Sequence, residues 1–581
     1  MPTLTSNLFR GTGEGSWRLN VVEGHWPTDA MGDVFIIGPD KREPGGHWFA
    51  EWGLLHRIGC TPTADGRIDV RARRISTPLE RLQRRFPALF RTISFAQASP
   101  FGISNLANTN VQAIDGRLFI GYDAGRPIEV DPVTLEVLTP VGSNREWQQM
   151  FPGLVEPMVP VAAHPAAAWD ERALYFVNYS PMPGTDTSLA RWALNGPVER
   201  WPLAGMSRFD SIHDVKASRN HLVLTDLPFK IEPEAMRGGE RTLPNQDVTH
   251  LWIVAKADLR RTPPGEPVRV VEVTIPFPTG HLSVDVHDDD GVLRVNLDHI
   301  PLADLLITAA TDSPGHLTGE APPVDYEGLT VLGVQPGCVG TYRIDAATGE
   351  VLSADKVWDD RFWGGVLTTY DFSSAESREH IRDVWFAGSG YDPELIPETW
   401  WKLYADAGLA CIVDPHDLPT DTRPGALAHF DLESHKVTAV HEYEGGAFPS
   451  PPTFVPRRGG DGPGDGYVVV LVHADEGKEL QIFDAQDIGR GPLARAAATG
   501  FNPPLLLHSY WMDRRDGPRP SDYRVRRRDD VRGALIAAPS VVRSWVRAGR
   551  QMAAEQRAAG EGAAGGGAAG EGAAGTAGTR N

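Results

Sequence analysis

The pattern that most limits how this chain can fold is a short one that returns three times. It reads apolar residue, Asp, two residues, Thr or Ser, one residue, a charged residue, then Val. It runs from Val130-Asp131 to Glu136-Val137, from Ile344-Asp345 to Glu350-Val351, and from Phe430-Asp431 to Lys436-Val437. Each copy reads as a strand, an Asp-initiated turn and a returning strand, because an Asp carboxylate can accept hydrogen bonds from backbone N–H groups just beyond it. Repeated hairpins with few helical stretches between them favour a β-propeller over a sandwich. The 61 Gly and 48 Pro among 581 residues agree, since they favour many short elements joined by turns.

One of the few helical stretches is 79–90, where Leu79, Leu82, Phe86 and Leu89 or Phe90 recur at helical spacing and Pro87 interrupts. Residues 1–16 read as an N-terminal arm and 17–512 as the propeller. Residues 513–557 form a basic extension with helical character, and 558–581 a Gly/Ala-rich tail that cannot bury a core and reads as disordered. Within the extension, Val541-Val542-Arg543-Ser544-Trp545-Val546-Arg547 mixes apolar and basic residues. Two placements are open for it: an amphipathic helix on an anionic membrane, or packing on the protein's own surface.

The formal charge of −20 argues against a nucleic-acid binder, which needs a basic face. Cys60, Cys338 and Cys411 are few and far apart, which suits a reducing compartment and neither a disulfide framework nor a thiolate metal site. The N-terminus lacks the charged and apolar regions of a signal peptide, and no stretch approaches the roughly 20 apolar residues that span a bilayer. The expectation is a cytoplasmic protein, with peripheral membrane contact through Leu79–Phe90 and the Arg-rich extension.

Four of the 18 histidines share a setting. His164, His213, His281 and His508 each lie at a boundary between a turn and a strand-like run, separated by 49, 68 and 227 residues. A lone histidine in such a place is usually a hydrogen-bonded structural residue. In a propeller, however, the inner strands of different blades converge on one axis, so four distant imidazoles can meet there. His56, His287 and His299 are set aside as ligands, His287 being an outer neighbour of the site at best.

The wording around these histidines resembles the carotenoid cleavage oxygenase family over about residues 20–512. Val22-Glu-Gly-His-Trp-Pro-Thr-Asp-Ala-Met-Gly32 with Gly38-Pro39 resembles its N-terminal signature, and His47-Trp-Phe49 with Gly53-Leu-Leu-His56 its next element. Asn108-Thr-Asn110-Val111, Gly116-Arg-Leu-Phe119 and Leu135-Glu136 resemble its blade-turn pattern. Ala163-His164-Pro165 and Ile212-His213-Asp214 match the first two ligand motifs, and His281 falls where the third is expected. Phe454-Val-Pro-Arg457, Asp465-Gly-Tyr467, Phe483-Asp-Ala485 and His508 match the C-terminal block.

The resemblance implies an all-β, seven-bladed propeller with a small helical or loop cap over an axial iron site. One Fe(II) per subunit would be held by His164, His213, His281 and His508. With dioxygen such iron splits a conjugated carbon–carbon double bond of an apolar polyene into two carbonyl products, the alkene supplying the electrons. The family's ligands are steadied by glutamates. Their positions here correspond to Asp123, to the stretch Asp359-Asp-Arg-Phe-Trp-Gly364, which has no Glu, and to Pro451. Asp is one methylene shorter than Glu, so a bridging water is the expected link from Asp123. Tyr122 stands where the stilbene-cleaving branch has Lys. A carotenoid or apocarotenoid dioxygenase is therefore the leading expectation. A stilbenoid-cleaving oxygenase and a non-catalytic apolar-ligand binder are the alternatives, and an unrelated propeller such as a hydrolase lacks a nucleophile motif.

Overall fold

All three copies of the Asp-led repeat fold as the same turn, joining the third and fourth strands of three different blades. Asp131 Oδ1 accepts from the N–H groups of Val133 and Thr134, both at 2.8 Å. Asp345 Oδ1 accepts from Ala347 and Thr348, and Asp431 Oδ1 from Glu433 and Ser434. The residue five places after the apolar start takes a left-handed backbone in each: Leu135 at φ 60°, Gly349 at 79° and His435 at 52°. The Asp side chain holds the turn in a conformation that Leu and His otherwise avoid.

The computed structural model describes residues 4–566 apart from 181–185, 207–210, 231, 233–240, 332, 371–379, 461, 518 and 520. Seven blades surround an axis. The strands nearest the axis are Asn110–Ile114, Ala166–Ala168, Ile212–Ala217, Thr279–Val284, Gly365–Tyr370, Phe448–Pro456 and His508–Met512, and most neighbours in this series touch. Behind them the second strands are apolar on both faces. Gly466–Ala474 is buried along all but its last residue, as a strand packed between blades must be.

The ring closes by exchange of chain ends. Gly15–Gly24 pairs with Ala494–Ala497 on one side and with Ile68–Arg74 on the other, fusing the first and last blades into a nine-stranded sheet. His508–Met512 pairs with Asp33–Pro39, so the last strand of the propeller completes a blade that the N-terminal strands begin.

Helices occur in the connections. Helix α1 (Pro78–Arg85) starts at Thr77, whose hydroxyl accepts from Glu80 N–H at 3.3 Å. The sequence pattern carries the helix to Phe90; it ends at Arg85 because Phe86 precedes proline and leaves the helical region (φ −138°, ψ 62°), and a 3₁₀ turn follows at Pro87–Leu89. Helices α2 (Lys256–Arg261) and α3 (Glu398–Tyr404) are short.

Helix α4 (Arg527–Gly566) runs nine residues further than the boundary at 557, into the Gly/Ala-rich segment, while 567–581 lie outside the described residues. Of its two expected placements, one face takes the protein's own surface. Asp530 pairs with Arg126 at 2.8 and 2.9 Å, and Trp545 donates to Met150 O at 2.7 Å and meets the Phe151 ring edge-on. Just before the helix, Arg519 joins Arg117 on the buried Glu129 carboxylate, and Tyr523 Oη accepts from Gly142 N–H. Removing one partner of such a buried ion pair costs roughly 3–5 kcal/mol, so the extension is firmly held.

Candidate metal centre

His164, His213, His281 and His508 meet on the axis, with one ring nitrogen of each within 4.8 Å of all the others. Each is placed by the start of an inner strand: His164 two residues before Ala166–Ala168, His213 and His281 second and third in Ile212–Ala217 and Thr279–Val284, and His508 first in His508–Met512. Backbone bonds tie these strand ends together. His164 N–H donates to His213 O at 3.1 Å, and Val215 N–H to His164 O at 3.0 Å. Asp214, fully buried, accepts from Leu282 N–H at 3.2 Å and from the Lys216 ammonium, linking the strand of His213 to that of His281. Asn110 donates to Ala163 O at 3.2 Å beside His164. Arg208-Phe-Asp210, shortly before the strand of His213, lie outside the described residues.

Asp123 reaches His213 directly. Its carboxylate oxygens lie 3.1 and 3.2 Å from His213 Nδ1, so no bridging water is needed. The shorter side chain suffices because the backbone of Asp123 is drawn in: Oδ1 accepts from Ala163 N–H at 3.0 Å and its carbonyl from Val161 N–H at 3.0 Å. Asp123 accepting at Nδ1 fixes the proton there and turns the His213 Nε2 lone pair toward the cluster.

The other two expected glutamate positions supply nothing. Asp359 is held by Arg361 at 2.9 Å, and Asp360 is exposed. Pro451 lines the cavity beside the cluster but has no side-chain acceptor. Among the described residues, His213 alone of the four has a carboxylate partner on its ring.

Electrostatics separate the four in the same way. Burial holds His164 and His281 well below the ordinary imidazole value, with the neighbouring histidines and Lys216 adding to it. Burial, then His213 and Lys216, lower His508 to about 3. Burial also opposes charge on His213, yet Asp123 raises it above its usual value. Neutral imidazoles are what a divalent metal requires.

The donor set fits such an ion. Nε2 of His213 and Nε2 of His281 face each other at 3.4 Å, an approach that needs a shared proton or cation between two lone pairs. His164 Nε2 is buried without a hydrogen-bond partner. The histidines set aside from the sequence are elsewhere: His299 Nε2 lies 2.8 Å from Tyr342 Oη, His287 is surface-exposed near Asp289, and His56 is buried outside the cluster.

Two cavities bear on the site. A small one, about 200 Å³, touches His164, His281 and His508 and extends along the axis past Lys216 and Tyr370. A larger one, about 850 Å³, is lined by Trp48, Leu329, Val331, Tyr391, Phe448 and Leu507. It touches none of the four histidines, but Leu367 lines both cavities and Leu507 directly precedes His508. Sequence reasoning finds the four histidines and Asp123. It misses the linking roles of Asp214 and Asn110, although both stand inside the motifs that mark the chain.

A seven-bladed propeller with four imidazoles gathered on its axis defines a β-propeller with an axial histidine metal centre. The chain matches the family described as retinal pigment epithelial membrane protein (RPE65) over residues 9–513, and it belongs to that family. It is 26% identical to resveratrol cleavage oxygenase 1 of Chaetomium globosum, over 85% of each chain. It is 22% identical to the apocarotenoid-15,15'-oxygenase of Synechocystis, covering 84% of this chain and 92% of that one. Among solved structures, Pseudomonas brassicacearum lignostilbene dioxygenase superimposes with a TM-score of 0.60 at 19% identity, covering 88% of this chain and 98% of that one. Cobalt-substituted Synechocystis apocarotenoid oxygenase gives 0.58 at 18%, with the same coverage. The carotenoid, apocarotenoid and stilbene oxygenases of this family make an oxygenase of this kind the activity its relatives share.

Proposed function

We propose that the chain is a non-haem Fe(II) dioxygenase that cleaves one conjugated C=C bond of a carotenoid or apocarotenoid into two carbonyl products. The observation that carries this reading is the meeting of four imidazoles on the axis, of which His164 is buried with an orphaned nitrogen. His164, His213, His281 and His508 would hold one Fe(II) per subunit. Bound there, iron would supply the activation of dioxygen, with the alkene as the source of electrons and the C=C and O–O bonds exchanged for two C=O bonds. Asp123 keeps the proton of His213 on Nδ1, and burial keeps the other three rings uncharged. The larger cavity, largely apolar and sharing Leu367 with the small cavity at the cluster, offers an elongated hydrocarbon a place close to the axis. No general acid or base is needed, so none has to be found.

Two specific observations favour other readings. Similarity to a resveratrol-cleaving enzyme supports a stilbenoid substrate. The missing carboxylates on His281 and His508 support a weakened iron site and a non-catalytic binder of apolar ligands. Protein purified without oxygen should carry about one iron per chain by the four-ligand argument. With Fe(II) it should consume oxygen on an apocarotenoid, and His213→Ala should abolish this. Turnover that survives in His213→Ala overturns the assignment; iron well below one per chain with intact ligand binding favours the binder.

No helix among the described residues is long and apolar enough to cross a membrane. Peripheral contact is a separate reading, supported by the outward face of α4. Val531, Leu535, Val542 and Val546 are 39–54% exposed along one stripe, with exposed Arg532, Arg543, Arg547 and Arg550 beside it. Such a face suits an anionic bilayer.

A further inference from the structure

The N-terminal segment before Gly15 is woven into the wall of the large cavity, although nothing in the axial chemistry requires it there. Lys478, 3% exposed, donates to Pro503 O at 2.7 Å, to Arg10 O at 3.1 Å and to Leu8 O at 3.4 Å. Leu8 and Phe9 are fully buried beside Trp48, Leu505 and Leu507. Further out, Thr5 N–H donates to Gly446 O at 2.8 Å and Thr5 Oγ1 to Asp475 at 2.8 Å. Leu4 is held through both of its backbone groups: its N–H lies 3.4 Å from Asp392 Oδ2, and its carbonyl accepts from Tyr326 Oη.

These bonds fix the Leu4 side chain in the lining of the cavity, packed with Leu329 and Phe448 against the Leu505 and Leu507 cluster. Leu507 leads into His508, so Leu4 stands in the same apolar cluster as the residue that precedes the fourth imidazole. Because interiors resist changes of even one methylene, a side chain clamped on both flanks sets a hard limit on what fits beside it.

We propose that the arm of residues 4–12 forms part of the wall of the apolar cavity and that Leu4 limits the size of polyene it accepts, making Leu4 a specificity-determining residue. This rests on the reading of the cavity as the polyene's place. The arm is built into the fold by ammonium–carbonyl and hydroxyl–carboxylate bonds, so it acts as a fixed part of the cavity wall.

The test uses full-length protein and binding measured by quenching of tryptophan fluorescence, with a long-chain apocarotenal and trans-stilbene as probes. Leu4→Trp should weaken apocarotenal binding by roughly tenfold or more, the effect of overfilling a packed wall, and leave trans-stilbene within about twofold. Leu4→Ala, which removes bulk from a half-buried position, should shift the preference the other way. Unchanged apocarotenal binding in Leu4→Trp overturns the proposal, as does equal loss of both probes with an unaltered melting temperature, or no apocarotenal binding by the wild type. Wild-type protein that binds the apocarotenal and shows the Leu4 effect, yet consumes no oxygen with Fe(II), overturns the dioxygenase reading and leaves this one standing.

Discussion

At the scale of single residues, Asp123 is the point where the site is most exposed to loss. Among the described residues it is the one carboxylate partner of the four imidazoles, and it meets His213 at 3.1 Å from a position held by the N–H groups of Val161 and Ala163. Asp123→Asn keeps the size and an acceptor oxygen but removes the charge that steadies the Nδ1–H of His213. Iron affinity, measured by competition with a chelator, should fall about 10- to 100-fold while the fold is retained. Glu156 offers a second test, on stability. It is 6% exposed, and burial pushes its carboxyl up to about 7. The folded state therefore keeps its proton where the unfolded chain has lost it, so the stability contributed by this group is present below the ordinary carboxylate value and is lost as pH rises to about 7. Glu156→Gln should melt higher than the wild type at pH 8 and much the same at pH 4; about 1.4 kcal/mol per unit sets an upper limit of roughly 3.5 kcal/mol on the difference.

At the scale of elements, the Asp-led hairpins were legible because their information is local. One carboxylate, two N–H groups and a left-handed residue lie within six positions of one another. The histidine-bearing strand starts were legible for a different reason, since the motifs around His164 and His213 resemble those of a known family. Helix α4 shows what such reading misses. Its apolar and Arg residues announced an amphipathic helix, but the choice of surface was made by Arg126, Glu129, Met150 and Phe151, hundreds of positions away. The consequence is that one face is spent on the propeller and only the other is free. Arg543→Glu with Arg547→Glu should reduce co-sedimentation with anionic vesicles, with little effect on melting because neither side chain is buried. Equal sedimentation of the variant and the wild type removes the membrane reading of this face.

At the scale of the whole molecule, the ring depends on Gly15–Gly24 bridging the first and last blades. That contact joins residues more than 400 positions apart, and no periodicity in either segment points to the other. Deleting residues 1–24 removes the bridge and leaves two strand edges unpaired, inviting association between chains. The shortened protein should aggregate on size-exclusion chromatography or melt at least about 10 °C lower, whereas a ring held mainly by its inner strands would melt unchanged.

His508 and its strand carry a consequence for biosynthesis. The blade begun by Asp33–Pro39 waits for its innermost strand until nearly the whole chain has left the ribosome, and the fourth imidazole arrives with that strand. Chains still being translated thus present an open sheet edge and an incomplete set of three histidines. On the iron reading proposed above, a full set of ligands exists only after residue 508 has been made, so loading at this centre would follow translation.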